Sequence, residues 1–172
     1  MGNPSAEQVA LGPLIDARQR DRVHQVVTAS VEAGARLAAG GKFDRLYYRP
    51  TVLADVPRQS PAFREEIFGP VAPVVPFDTL DEAVALAADT EYGLSIGIAT
   101  RDVMKGLALA ERIPNGNVHI NNQTIVDEVV NPFGGMKASG GGWRLGGPQA
   151  NFEAFTETQW VTLGSELPPF PF

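Results

Sequence analysis

A chain of 172 residues, 44% of them hydrophobic, is long enough to bury one core and too apolar for wholesale disorder. Its 14 basic and 20 acidic residues give a net charge of −6 with no basic stripe, which argues against nucleic acid or an anionic membrane as partner. The absence of cysteine excludes disulfides, thiolate metal sites and a thiol nucleophile within these residues.

Residues 1–8 have no periodicity and lack the basic-then-apolar layout of a signal peptide. No apolar run approaches the length of a membrane span, so the expected location is cytoplasmic. Gly12-Pro13-Leu14-Ile15 opens a segment in which Val23, Val26, Val27, Val31 and Leu37 recur at mostly helical spacing. That spacing predicts an amphipathic helix over 16–39, stopped by Gly40-Gly41. Arg49-Pro50-Thr51-Val52-Leu53 reads as a short strand with proline at its edge. Ser60-Pro61 places a capping hydroxyl before a proline suited to the first helical position, opening a short turn through Glu66.

The middle of the chain has the clearest pattern. Residues 71–77 read as a strand, and Thr79-Leu80-Asp81-Glu82 fits a capping box opening a helix through Ala88. A second strand is expected over 94–99. Asp102 caps a helix to Arg112, ended by Pro114-Asn115-Gly116, and a third strand covers 118–121. Strand–helix–strand–helix–strand with short links predicts an α/β fold: a parallel sheet of βαβαβ units with right-handed crossovers.

Residues 122–147 form a Gly-rich connection of a length that is usually functional. It lacks the Gly-Lys-Ser/Thr ending of a phosphate-binding loop. A short helix over 148–155 and an apolar strand, Thr158-Gln159-Trp160-Val161-Thr162-Leu163, follow. The Pro-rich tail Leu167-Pro168-Pro169-Phe170-Pro171-Phe172 fits neither helix nor central strand. The expected division is 1–156 for the main body and 157–172 for the terminal strand and tail.

On residue chemistry alone, Glu66 reads either as a solvated carboxylate or as an acceptor for the vicinal hydroxyls of a ribose. Phe68 then offers a face for a flat heteroaromatic ring. Glu65 points away from Glu66 and reads as surface. Asn121 closes a strand at its C-terminal end, where parallel sheets place ligands, although such an asparagine also caps turns. Phe133 is either a plug at the base of a loop or a ligand contact. His24 and His119 are the only histidines, and with no paired acidic ligands at metal spacing both read as structural, with no metal site. An unpaired apolar edge such as residues 158–163 tends to find another chain.

Two runs, Glu65-Glu66-Ile67-Phe68-Gly69-Pro70-Val71 and Pro132-Phe133-Gly134-Gly135-Met136-Lys137-Ala138-Ser139-Gly140, resemble the C-terminal part of the NAD(P)-dependent aldehyde dehydrogenases. Tyr92-Gly93-Leu94-Ser95 and Pro114-Asn115-Gly116-Asn117-Val118 match further family segments in the same order, so the resemblance runs from about residue 11 to 163. Many members carry Ser-Gly-x-Gly-Arg-Glu where this chain has Ser139-Gly140-Gly141-Gly142-Trp143-Arg144. That departure, with Ile120-Asn121-Asn122-Gln123-Thr124 and the Pro-Phe tail, is similar to the benzaldehyde and vanillin dehydrogenases.

The resemblance implies oxidation of a small, aromatic aldehyde to a carboxylic acid with NAD or NADP. It implies that Glu66 and Gln19 hold the nicotinamide ribose and that Phe68 packs beside the nicotinamide. Asn121 and Phe133 would wall the active site, and residues 158–163 would join a partner subunit in a homo-oligomer. The family's nucleophilic cysteine, its glutamate base and its dinucleotide-binding domain are expected upstream of Met1. No catalytic residue is therefore expected here, and the chain alone is expected to be inactive. Two other readings fit the same residues: a short non-catalytic homologue that binds ligand, and a dimerisation module.

Overall fold

The computed structural model describes residues 1–126 and 128–166; the expected Pro-rich tail, 167–172, lies outside the described residues. The chain divides into two units, Met1–Ala83 and Val84–Phe172.

The first unit is organised by helix α1, Ala17–Glu32, whose N-cap Asp16 accepts from the Gln19 backbone N–H at 2.7 Å. Its Val23, Val26, Val27 and Ser30 are buried. The helix ends at Glu32 rather than running to Ala39, because Gly34 takes the left-handed conformation (φ 112°) and turns the chain. Arg36–Ala39 is instead strand β1, so Leu37 belongs to a strand and not to the helix stripe. A two-residue hairpin pair, β2 (Phe43–Asp44) and β3 (Tyr47–Tyr48), comes next. Strand β4, Thr51–Ala54, pairs antiparallel with β1 and parallel with β5, Val71–Pro73.

Between β4 and β5 lies the single-turn helix α2, Pro61–Arg64. Ser60 does not cap it. The Ser60 hydroxyl donates to the Pro57 carbonyl at 2.7 Å, while Ser30 Oγ on α1 accepts from the Ala62 N–H at 2.9 Å. This buried bond fixes α2 on α1. Val23, Val26 and Val27 of α1 join Tyr48, Leu53, Val56, Ala62 and Ile67 in one buried cluster, which supplies the apolar burial that holds the unit together.

Helix α3, Leu80–Ala88, spans the boundary between the units and opens on the expected capping box. Thr79 Oγ1 accepts from the Glu82 N–H at 3.1 Å, and Glu82 Oε2 accepts from the Asp78 N–H at 2.8 Å.

In the second unit, β6 (Tyr92–Gly93) pairs antiparallel with β9 (Met136–Lys137). Strand β7, Ser95–Ile98, pairs in parallel with β8, Asn117–Ile120, through the crossover helix α4, Val103–Ala110. Asp102 caps α4 as expected, accepting from the Lys105 N–H at 3.0 Å. A Cβ at Gly106 would meet Thr100 and Ile120 side chains at 3.0 and 3.1 Å, so glycine there lets α4 lie close to β8. Helix α5, Pro148–Ala154, is the last regular element. The run 158–163, expected as a strand, joins no ladder within the described residues and its side chains are exposed. A strand is defined by its partner, and the described residues offer it none.

Together the elements make an α/β chain containing two parallel strand pairs, β4–β5 and β7–β8. Strand β5, expected to open the βαβαβ run, takes β4 as its hydrogen-bonded neighbour.

Candidate functional site

In the first unit, the 65–70 turn carries Glu66 and Phe68. The Gln19 side-chain amide, one turn into α1, donates to the carbonyls of Ile67 at 3.2 Å and Phe68 at 3.0 Å. Arg22 Nη1 donates to the same Ile67 carbonyl at 3.3 Å. Beneath the turn, Ile67 is buried, and a Cβ at Gly69 would come within 2.7 Å of Val23 Cγ2. Gly69 is therefore what allows the turn to sit directly on α1.

The consequence is a rigid turn that presents two side chains outward. Phe68 is 74% exposed and has φ 51°, a left-handed conformation that costs a bulky residue about 1–2 kcal/mol. Strain of that kind persists where surrounding contacts over-determine it; Gln19 and Ile67 supply those contacts. Glu66 is exposed and makes no hydrogen bond or ion pair among the described residues. Glu65 instead faces Arg22 at 3.7 Å across half-exposed side chains, a pairing worth little. The structure thus brings Gln19 and Phe68 into contact and leaves the Glu66 carboxylate open beside them. Both donated bonds come from Gln19 Nε2, so its carbonyl oxygen keeps its accepting capacity.

His24 belongs to the packing of the same unit. Its Nδ1 lies 3.1 Å from the Tyr48 hydroxyl, and its ring meets Phe43 edge-on at 5.2 Å. Burial pushes the Tyr48 hydroxyl above its ordinary pKa.

In the second unit, Asn121 stands at the end of β8 with φ 54°. Its side-chain amide makes two bonds to one residue: Oδ1 accepts from the Thr100 N–H and Nδ2 donates to the Thr100 carbonyl, both at 2.8 Å. Asn121 thereby continues the β7–β8 ladder by one side chain and fixes the turn into α4. Phe133 exchanges backbone bonds with Leu145 at 2.6 and 3.0 Å. Arg144 Nη1 donates to the Gly116 carbonyl at 3.0 Å, tying this bridge to the start of β8. The sequence reading noted Trp143-Arg144 only as a departure from the family pattern and did not foresee this staple. The contact is intimate: a Cβ at Gly116 would fall 1.8 Å from the Gly134 oxygen.

A cavity of about 270 Å³ lies beside Phe133, bordered by Val118 and His119 of β8, Glu128, Asn131 and Pro132 among others. Asn121 is not part of its wall. The alternation Asn117, His119, Asn121 along β8 and the residue after it is a sequence signal for a polar strand face that the sequence analysis did not use. A larger hollow of about 540 Å³ lies against α5 between Trp143, Arg144 and Glu153. Among the described residues no group of three or more His, Cys, Asp or Glu side chains is placed to hold a metal ion. No helix is long and apolar enough to cross a membrane.

The family profile described as "Aldehyde dehydrogenase family" matches residues 1–161. The chain is 60% identical over all of its length to the vanillin dehydrogenase of Amycolatopsis sp., covering 35% of that protein. To the benzaldehyde dehydrogenase [NAD(+)] of Pseudomonas putida it is 47% identical, again over its whole length and 35% of the relative. Among solved structures, the NAD-dependent aldehyde dehydrogenase from Sinorhizobium meliloti superposes with a TM-score of 0.88 at 39% identity. That match covers 99% of this chain and 34% of the other. The chain thus spans about a third of the length of the curated relatives it matches. It belongs to the aldehyde dehydrogenase family.

Proposed function

We propose that this chain is one part of an NAD(P)-dependent oxidoreductase that converts aromatic aldehydes to carboxylic acids. The observation that carries the reading is the 65–70 turn, where an open carboxylate and a strained, exposed aromatic ring are held by Gln19. A dinucleotide fits that donor set. The Glu66 carboxylate accepts from two vicinal ribose hydroxyls, the Gln19 carbonyl oxygen accepts a further one, and the Phe68 ring lies against a flat nicotinamide. When bound, the nicotinamide supplies the hydride acceptor for aldehyde oxidation. The names of the relatives, vanillin and benzaldehyde dehydrogenases, support an aromatic substrate.

The residues of this chain bind and position. Phe133, braced by Leu145 and Arg144, forms part of the substrate wall, and Asn121 orders the strand end from which that wall departs. With no cysteine among its 172 residues, the chain contributes no thiolate. The nucleophile, the carboxylate base that activates water, and the dinucleotide-binding domain lie outside it. Residues 1–156 act as the catalytic-domain portion and 157–172 as the oligomerisation segment. In the assembled enzyme residues 158–163 pair with a second subunit. Exposure of Trp160 at 89% and Leu163 at 95% supports that pairing.

The test is turnover. Purified chain incubated with benzaldehyde and NAD or NADP is expected to form no reduced nucleotide above the protein-free rate. Formation that scales with chain concentration and survives repurification would overturn the proposal.

A further inference from the structure

The two faces of the β2–β3 hairpin are used differently. Phe43 and Tyr48 stand opposite each other in its ladder and point inward. Their rings stack at 6.0 Å beside His24 of α1, and Tyr48 is buried. Side chains alternate along each strand, so the next opposite pair, Asp44 and Tyr47, stands on the other face. Arg49, two residues beyond Tyr47, joins them, and its N–H continues the ladder by donating to the Lys42 carbonyl at 2.9 Å. The turn of the hairpin is tied down. The Leu14 N–H donates to the Leu46 carbonyl at 2.8 Å, and Arg20 Nη1 donates to the Arg45 carbonyl at 3.2 Å.

The outward face borders a hollow of about 340 Å³, lined by Asp44, Tyr47, Arg49 and the Met1–Gly2 segment. Among the described residues the Asp44 carboxylate, the Tyr47 hydroxyl and the Arg49 guanidinium make no hydrogen bond or ion pair. Asp44 and Arg49 are diagonal neighbours on one face, a relation that sets residues about 7–8 Å apart. Two opposite charges therefore stand near each other without closing on each other, and Tyr47 is adjacent to both. A guanidinium, a carboxylate and an aromatic ring around one small space are complementary to a molecule carrying a carboxylate, an ammonium and an apolar group.

We propose that this face of the hairpin binds a zwitterion of the α-amino acid class. Arg49 donates to the ligand carboxylate, Asp44 accepts from its ammonium, and the Tyr47 ring lies against an apolar side chain. An α-amino acid carries both charges on one carbon, so a single small molecule satisfies both protein groups. The volume is at the lower end of the range for small-ligand sites. The site uses none of the residues of the nucleotide reading at Glu66 and stands or falls separately from it.

The experiment is an NMR titration of the isotope-labelled 172-residue chain with L-phenylalanine, 3-phenylpropionate and 2-phenylethylamine. The second probe lacks the ammonium and the third lacks the carboxylate. A hydrogen bond to a charged group, made without stranding a partner, corresponds to about tenfold in affinity. L-Phenylalanine is therefore expected to bind about tenfold tighter than either of the others, with shifts centred on Asp44, Tyr47 and Arg49. Arg49→Gln is expected to lower L-phenylalanine affinity about tenfold and leave 2-phenylethylamine affinity in place. Asp44→Asn should do the same while leaving 3-phenylpropionate affinity in place. Both positions are exposed, and either variant gives the readout should the other not fold. Equal affinity for the three probes, shifts centred elsewhere, no binding, or L-phenylalanine affinity unchanged in the folded variants would overturn the proposal.

Discussion

The two units of this chain use their apolar residues in opposite ways. In Met1–Ala83 the valines of α1 close over Leu53, Val56, Ala62 and Ile67. In Val84–Phe172 the only buried large hydrophobic side chain among the described residues is Ile113. Residues that a core would claim, such as Met104 and Leu107 on α4 and Phe152 on α5, face outward. The second unit does have ordered backbone contacts, in the β7–β8 ladder and the Phe133–Leu145 bridge. Hydrogen bonds position its chain, but apolar burial, the larger stabilising term in folding, is concentrated in the first unit. One unit carries its own core; the other carries a shaped surface.

The largest expected effect separates them directly. Leu53→Ala removes a fully buried side chain and should cost about 2–5 kcal/mol. Leu107→Ala, on the outward face of α4, should change stability by less than about 0.5 kcal/mol. Urea unfolding of the two variants reads the difference, and similar losses would break the comparison.

Within the first unit, Gln19→Ala removes both bonds to the Ile67 and Phe68 carbonyls and should cost about 1–2 kcal/mol. Faster amide exchange is expected at residues 67–69. Phe68→Gly sharpens the same point with the opposite sign. Relief of the left-handed strain, about 1–2 kcal/mol, exceeds the added freedom of glycine in the unfolded chain, about 0.5–1 kcal/mol. The variant should therefore be stabler by up to about 1.5 kcal/mol while losing the proposed nucleotide contact. A lower urea midpoint would show that the Phe68 conformation is not strained.

The smallest effect is confined to alkaline pH. Burial raises the Tyr48 pKa in the folded state, so above about 10 the unfolded chain releases this proton first and binds fewer protons than the native one. Stability should accordingly be independent of Tyr48 titration near neutrality and decline as pH rises beyond that value. Tyr48→Phe should flatten the decline, at a cost of about 1 kcal/mol for the lost His24 contact. A decline of equal slope in the variant would assign it to other groups.

What was legible in the sequence follows from where the bonds are. Helices α3 and α4 announced themselves because Thr79 with Glu82, and Asp102 with Lys105, satisfy helix ends locally. Strand β1 was hidden because its pairing with β4 is non-local, and because Leu37 continues the apolar spacing of α1 past the Gly34 turn. The site divides the same way. Glu66 and Phe68 were found through a run of residues that resembles a family, whereas spacing alone left Glu66 a plausible solvated carboxylate. The positive φ of Phe68 and the Gln19 amide bonds across 48 and 49 residues have no local sequence signature. Nor does the Arg144 staple to Gly116, 28 residues away.

The central claim is that the turn carrying Glu66 and Phe68 is a nucleotide contact. The most direct measurement is an NMR titration of the whole chain with nicotinamide mononucleotide, which carries the ribose and the ring but not the adenosine half. The account predicts shifts concentrated at Gln19 and residues 66–69, abolished by Glu66→Ala with the rest of the spectrum unchanged. Shifts absent from that turn, or undiminished in the variant, would contradict it.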